Sequence, residues 1–109
     1  VGRDLPLDQV LAQARASGRP AMLYFATAWC GYCRLLEQQT LSDAGVAGHM
    51  AGYTNARYDA DSPTGRALAT RYGVVGFPTL VRVDAAGNKQ GFFEGYDPPS
   101  DFVRRIPRP

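Results

Sequence analysis

The sequence predicts an α/β fold: an open mixed sheet of about four strands, flanked by helices on both faces. Three observations predict it. The run Ala21-Met22-Leu23-Tyr24-Phe25-Ala26 is apolar without interruption, as expected of a strand covered on both sides. Helical and strand patterns alternate along the chain, which calls for helices packed on a sheet. Two strand-like segments flank the turn sequence Asp84-Ala85-Ala86-Gly87-Asn88, which marks a hairpin.

The elements follow in order. Leu7, Val10, Leu11 and Ala14 fall at i, i+3, i+4 and i+7, one face of an amphipathic helix that Gly18 and Pro20 end. The apolar strand from Ala21 to Ala26 comes next. A helix starts near Cys30 and runs through Arg34, Leu35, Leu36 and Glu37 to about Leu41. A second helical piece, from Ser42 to Met50, is weakened by Gly45 and Gly48. Thr54 to Asp59 is the second strand, and Asp61-Ser62-Pro63 turns the chain into a helix through Leu68 to Tyr72. Phe77-Pro78 precedes the third strand, Thr79 to Val83, and Lys89 to Glu94 returns as the fourth. Asp97-Pro98-Pro99 opens a last helix from Ser100 to Ile106. Right-handed crossovers make the first pairings parallel, and the hairpin adds an antiparallel edge.

A chain of 109 residues is expected to form one domain, residues 1–109. Its net charge of +2 is too mild to argue for a nucleic-acid partner. No apolar run approaches the roughly 20 residues of a membrane span. Val1-Gly2-Arg3-Asp4 does not open a signal peptide. Arg104, Arg105 and Arg108 are expected to form a solvated basic tail.

The two cysteines, Cys30 and Cys33, stand three apart. Closing so short a loop removes little unfolded-state entropy, so a bridge between them serves redox chemistry rather than stability. Half a zinc site is the competing reading, but such sites take four ligands. His49 is the only histidine, no second cysteine pair exists, and His49 is expected at the surface. No metal site is therefore assigned.

Trp29-Cys30-Gly31-Tyr32-Cys33-Arg34 follows the buried strand and opens a helix. Unpaired N–H groups and the dipole at a helix start favour a thiolate at Cys30. Cys30 is then the exposed nucleophile that attacks a substrate disulfide, and Cys33, deeper and one turn on, resolves the mixed disulfide. Gly31 leaves room for a substrate backbone. Trp29 and Tyr32 flank the nucleophile and are assigned to substrate contact together with Phe77, whereas Tyr24, Phe25, Phe92 and Phe93 are assigned to packing.

Trp29-Cys30-Gly31-Tyr32-Cys33, Gly76-Phe77-Pro78-Thr79 and the Gly87 hairpin together resemble the thioredoxin superfamily, over about Leu7 to Ile106. The resemblance implies a thioredoxin fold and thiol–disulfide exchange. It also implies that Pro78 is cis, beside the sulfurs, with the Phe77 backbone turned toward substrate. Housekeeping thioredoxins have a buried Asp where Tyr24 stands, a kinking Pro where Gln38 stands, and a Lys where Arg57 stands. Glu37, four residues after Cys33 on the same helix face, is similar to an acidic residue of the C-terminal thioredoxin-like domains of the membrane reductant conductor DsbD. The runs Leu36-Glu37-Gln38-Gln39-Thr40-Leu41-Ser42-Asp43 and Glu94-Gly95-Tyr96 resemble that branch as well. A carboxylate at Glu37 has two possible roles: it accepts the Cys33 proton, or it disfavours the thiolates by like charge. The competing reading is a solvated helix residue.

The implied activity is reduction of protein disulfides in the bacterial periplasm or cell envelope, with the cytoplasm as the alternative compartment. The implied partners are protein disulfide substrates and a thiol reductant or membrane electron donor, and a monomer is expected. The dithiol is itself the redox group, so no organic cofactor is implied. A disulfide isomerase or oxidase using the same cysteines is one alternative, and a non-catalytic thioredoxin-like binding module is another.

Overall fold

The computed structural model describes residues 2–109; Val1, where the expected non-signal opening begins, lies outside them. Its sheet has the strand order β2-β1-β3-β4, formed by β1 (Ala21–Ala26), β2 (Thr54–Asp59), β3 (Thr79–Val83) and β4 (Lys89–Glu94). Helices α1 (Leu7–Ser17) and α4 (Pro63–Tyr72) cover one face; α2 (Gly31–Leu35), α3 (Ala44–Met50) and α5 (Pro99–Arg105) cover the other. All six residues of β1 are buried, and they alternate between two cores. Ala21, Leu23 and Phe25 join Val10, Leu11, Leu68 and Tyr72, whereas Met22, Tyr24 and Ala26 join Cys33, Leu36 and Phe102.

In the first core Phe25 and Tyr58, neither exposed, stack at 5.5 Å. Burying each contributes about 2–3 kcal/mol, and the Tyr58 hydroxyl donates to the Leu5 carbonyl at 2.8 Å. The N-terminal segment thereby seals the β2 edge. Asp4 N–H donates to the Arg57 carbonyl at 2.9 Å, and Asp4 Oδ1 accepts the Asp59 N–H at 2.8 Å. Ser62 caps α4 by accepting the Gly65 N–H at 3.0 Å. A Cβ at position 65 would lie 1.9 Å from the Asp59 carbonyl oxygen, so only glycine lets α4 pack this close to β2.

The structure departs from the sequence reading at several points. β2 pairs parallel with β1 as expected, but β3 runs antiparallel to β1. The Tyr72 hydroxyl at the end of α4 reaches the Gly87 carbonyl in the β3–β4 turn (2.7 Å), whereas Thr79 pairs with Phe25 at the opposite end of the sheet. Residues 73–77, able to span about 17 Å when extended, carry the chain back up the sheet before β3 begins. The helix expected from Cys30 to about Leu41 divides, with α2 continuing as a π-helix over Leu36–Leu41. The Ser42 hydroxyl takes the Gln38 carbonyl at 2.5 Å, and the Thr40 hydroxyl donates to the Asp97 carbonyl at 2.6 Å. Side chains thus fasten the widened turn around Gln38.

The next helix begins at Ala44, because Asp43 caps it by accepting the Val46 N–H at 3.1 Å. His49 is buried, not at the surface, with Nε2 2.7 Å from the Ile106 carbonyl. In the basic tail Arg104 and Arg105 are exposed, and Arg105 reaches the Glu94 carbonyl at 2.8 Å. Among the described residues no helix is long and apolar enough to cross a membrane.

Candidate active site

The chain leaves β1 through Thr27 and turns at Cys30, whose extended backbone (φ −84°, ψ 110°) makes it the N-cap of α2. Its sulfur accepts the Cys33 N–H at 3.1 Å. This satisfies one of the free donors of the first helical turn and aims it at the reactive atom. Cys30, expected exposed, keeps only 7% exposure. It sits in the notch between the helix start and the Phe77-Pro78 loop, and its Sγ donates to the Phe77 carbonyl at 3.5 Å. The Phe77–Pro78 peptide is cis.

Cys33 is fully buried, and both cysteines are free thiols. Burial above all, then its hydrogen bond to Cys30, pushes the Cys33 thiol up to about 12. A hydrogen bond from the Thr27 backbone opposes the rise, and the charges of Cys30 and Glu37 add to it. Cys33 is therefore a thiol throughout the neutral range in the reduced protein.

Around the outer sulfur lies an apolar rim. Trp29 and Tyr32 are each 67% exposed. Trp29 meets Phe77 edge to face at 6.0 Å, and its Nε1 donates to Asp61 Oδ2 at 2.9 Å. A Cβ at Gly31 would meet nothing within 4 Å, so the protein's own packing does not require glycine there. Sequence reasoning did not single out two residues that the structure brings to notice. Val75, in the loop before Phe77, is 88% exposed; an apolar residue two positions before Phe77-Pro78 was the available signal. Asp61 was read only as part of a helix start.

Glu37 is half-buried, near neither extreme of the sequence reading. Its Oε1 lies 3.0 Å from Arg57 Nη1, and its Oε2 accepts from Arg57 Nη2 at 3.1 Å and from the Tyr24 hydroxyl at 2.9 Å. Tyr24 and Arg57 are register partners across β1 and β2, and the guanidinium lies over the Tyr24 ring at 5.2 Å. Tyr24, assigned to packing alone, is thus also a hydrogen-bond donor at the site. The solvent side of this cluster is a cleft of about 280 Å³ lined by Arg3, Thr27, Arg34, Glu37, Arg57 and Asp59. Arg34 closes one wall by donating to the Ala28 carbonyl at 2.7 Å.

Comparison with known proteins fits this arrangement. Residues 7–107 match a family model described as a thioredoxin-like domain. The chain is 33% identical over 85 residues to the thiol:disulfide interchange protein DsbD 1 of Pseudomonas aeruginosa, a stretch covering 76% of this chain and 14% of that protein. This chain thus spans only a small part of the curated relatives it matches. A thioredoxin from Thermus thermophilus superposes with a TM-score of 0.80 at 37% identity, covering 91% of this chain and 79% of that one. The oxidised C-terminal domain of Neisseria meningitidis DsbD shares the fold, with a TM-score of 0.76 at 21% identity over 88% of this chain and 85% of that one. With the family model matching nearly its whole length, the chain belongs to the thioredoxin-like domain family.

Proposed function

We propose that this domain is a protein-disulfide oxidoreductase working in the reducing direction. The observation that carries the reading is the pairing of a capped outer sulfur with a sealed inner one. Cys30 accepts the Cys33 N–H at the start of α2, and Cys33 lies behind it with no exposure. Cys30 as thiolate attacks a substrate disulfide; one substrate sulfur leaves as a thiol, and the other stays joined to Cys30. In that mixed disulfide the hydrogen bond and charge of Cys30 no longer hold the Cys33 proton, so two of the causes that raise Cys33 fall away. Cys33 becomes more acidic at the moment it must attack. It then displaces the second substrate thiol, leaving Cys30–Cys33 oxidised and the substrate reduced.

Trp29, Tyr32, Phe77 and the cis Pro78 are the substrate-contacting residues in this reading, with Gly31 leaving the approach open. Glu37 acts on the Cys33 step. The substrates are protein disulfides, and electrons return from a thiol reductant or a membrane donor. The resemblance to DsbD proteins supports a place in the bacterial periplasm or cell envelope, and a monomer is part of the proposal. Reduction of insulin disulfides by a thiol reductant, with and without the protein, tests the activity. Acceleration that Cys30→Ser abolishes supports the reading, and acceleration that survives Cys30→Ser contradicts it.

A further inference from the structure

The geometry points to a docking surface for anionic lipid headgroups at the end of the domain opposite Cys30. The inference is independent of the redox reading of the cysteines.

The fold gathers positive charge at that end. β1 and β2 begin there, β3 finishes there and β4 leaves from it, so the segments around Pro20, Tyr53 and Gly87 lie together. The Tyr53 hydroxyl donates to the Pro107 carbonyl and brings the C-terminal residues to them. Arg15 and Arg71 stand in the last turns of α1 and α4, which also end here. Arg19, Arg82, Lys89 and Arg108 complete the set; Arg82 is half-buried and the others are exposed. Asp84 is the one acidic residue on the connecting turns of this end, and its carboxylate accepts the N–H groups of Ala86 (3.0 Å) and Asn88 (2.9 Å).

Among the described residues none of these cations is paired with a carboxylate; the ion pairs are Arg57 with Glu37, Arg104 with Asp101 and Arg105 with Asp97. Arg15 donates to the Ala85 carbonyl at 2.9 Å, Arg19 to the Ala51 carbonyl at 3.1 Å, and Lys89 to the Tyr72 carbonyl at 3.2 Å. Arg82 donates to the Tyr53 hydroxyl at 3.2 Å and lies over its ring at 5.4 Å, and Arg71 lies over the Tyr72 ring at 5.2 Å. Carbonyls at a helix end carry only about half a unit of negative charge. This end therefore stays positive, although the net charge of the chain is only +2.

What the surface lacks selects its occupant. The large exposed apolar side chains, Trp29, Tyr32 and Val75, lie at the site end. A stable protein interface has an apolar centre, and the basic end has no large apolar side chain to form one. Tyr53 and Tyr72 are buried, so neither ring is free to stack on a nucleic-acid base. The cations come from separate elements and meet separate partners, so they spread over a face instead of converging on one phosphate. A plane of anionic headgroups matches that spread, and each Lys or Arg held near such a plane strengthens attachment about fivefold. Strands of five or six residues separate the two ends by about 17–20 Å. A domain resting on its basic end thus turns Cys30 and the apolar rim toward the aqueous phase.

The test is co-sedimentation of the full chain with phosphatidylcholine vesicles, with and without phosphatidylglycerol. Binding is expected only when phosphatidylglycerol is present, and it should be lost at about 0.5 M salt, where charges are screened within a few ångströms. Arg15→Gln/Arg19→Gln and Arg71→Gln/Arg108→Gln should each weaken it by about twentyfold. These pairs lie on different elements, and urea midpoints report whether either has lost its fold. Arg34→Gln/Arg66→Gln removes the same charge from the site end and should bind like the parent. Trp29, the only tryptophan, should stay as open to acrylamide quenching on the vesicle as in solution. Absence of binding, binding that ignores phosphatidylglycerol or survives salt, an equal loss in Arg34→Gln/Arg66→Gln, or shielding of Trp29 overturns the proposal. Displacement by inorganic phosphate at constant ionic strength would mean a single-ion site and overturn it too. Tighter binding to polyglutamate or duplex DNA than to the vesicles would assign the surface to a protein or nucleic acid instead.

Discussion

The backbone N–H of Cys33 donates to the sulfur of Cys30 at 3.1 Å, so the residue proposed to begin the reaction caps the helical turn that carries the residue proposed to resolve it. Exchange requires both positions but in different ways. Cys33→Ala keeps the N–H and removes the second sulfur, so Cys30 should still attack and then stall. A stable mixed disulfide with substrate proteins, visible on non-reducing gels and absent from the Cys30→Ser/Cys33→Ala variant, is the expected result.

The raised Cys33 thiol has a consequence for stability. A group whose acidity falls on folding binds more protons in the folded state, so it contributes stability below its unfolded value and loses it as pH rises through the folded one. With an ordinary value near 9.0 and a folded one of about 12, the loss falls in that alkaline window. Tyr58, raised mainly by burial to about 12, acts in the same direction. Urea unfolding of the reduced protein should therefore weaken above about pH 9. Cys33→Ala should weaken less steeply over the same range, since only the tyrosine contribution remains.

Trp29 combines an exposed face with an anchored ring nitrogen, the features that its proposed role as a rigid contact for a polypeptide requires. Trp29→Ala should raise KM for a protein disulfide by about tenfold, the cost of one aromatic anchor. Reduction of a small disulfide such as hydroxyethyl disulfide should change little. Asp61→Ala, which frees the ring without removing it, should give a smaller rise in KM.

Gly65 offers a prediction about the fold alone. A methyl group there meets a backbone oxygen, which cannot swing aside. Gly65→Ala should cost about 3 kcal/mol by forcing α4 away from β2. The lowered urea midpoint should come without loss of activity per folded molecule, because α4 lies on the face of the sheet opposite Cys33.

Much of this was legible in the residues. The unbroken apolar run of β1 and the Gly87 turn each obey a local rule, and all four strands keep the bounds read from the sequence. The order Trp29-Cys30-Gly31-Tyr32-Cys33 likewise placed one cysteine at a helix cap and the other a turn inside. What escaped depends on residues far apart in the chain. The direction of β3 is decided by how residues 73–77 traverse the sheet, and apolar spacing does not encode that path. The π-helical turn is fastened through Thr40 to Asp97, 57 residues away. His49 is drawn inside by the Ile106 carbonyl, also 57 residues away. Glu37 was singled out by its spacing from the cysteines, but its partners come from two strands, and only the register of β1 with β2 reveals that Tyr24 and Arg57 meet there.

The direction of electron flow is the central claim, and the Cys30–Cys33 reduction potential tests it most directly. Equilibration against defined thiol–disulfide buffers, read by alkylation of the free thiols, gives that potential. A value near about −270 mV, typical of thioredoxin, is predicted. A value near about −120 mV, that of a strong oxidant such as DsbA, would contradict the reductase account and assign the same two cysteines to disulfide formation.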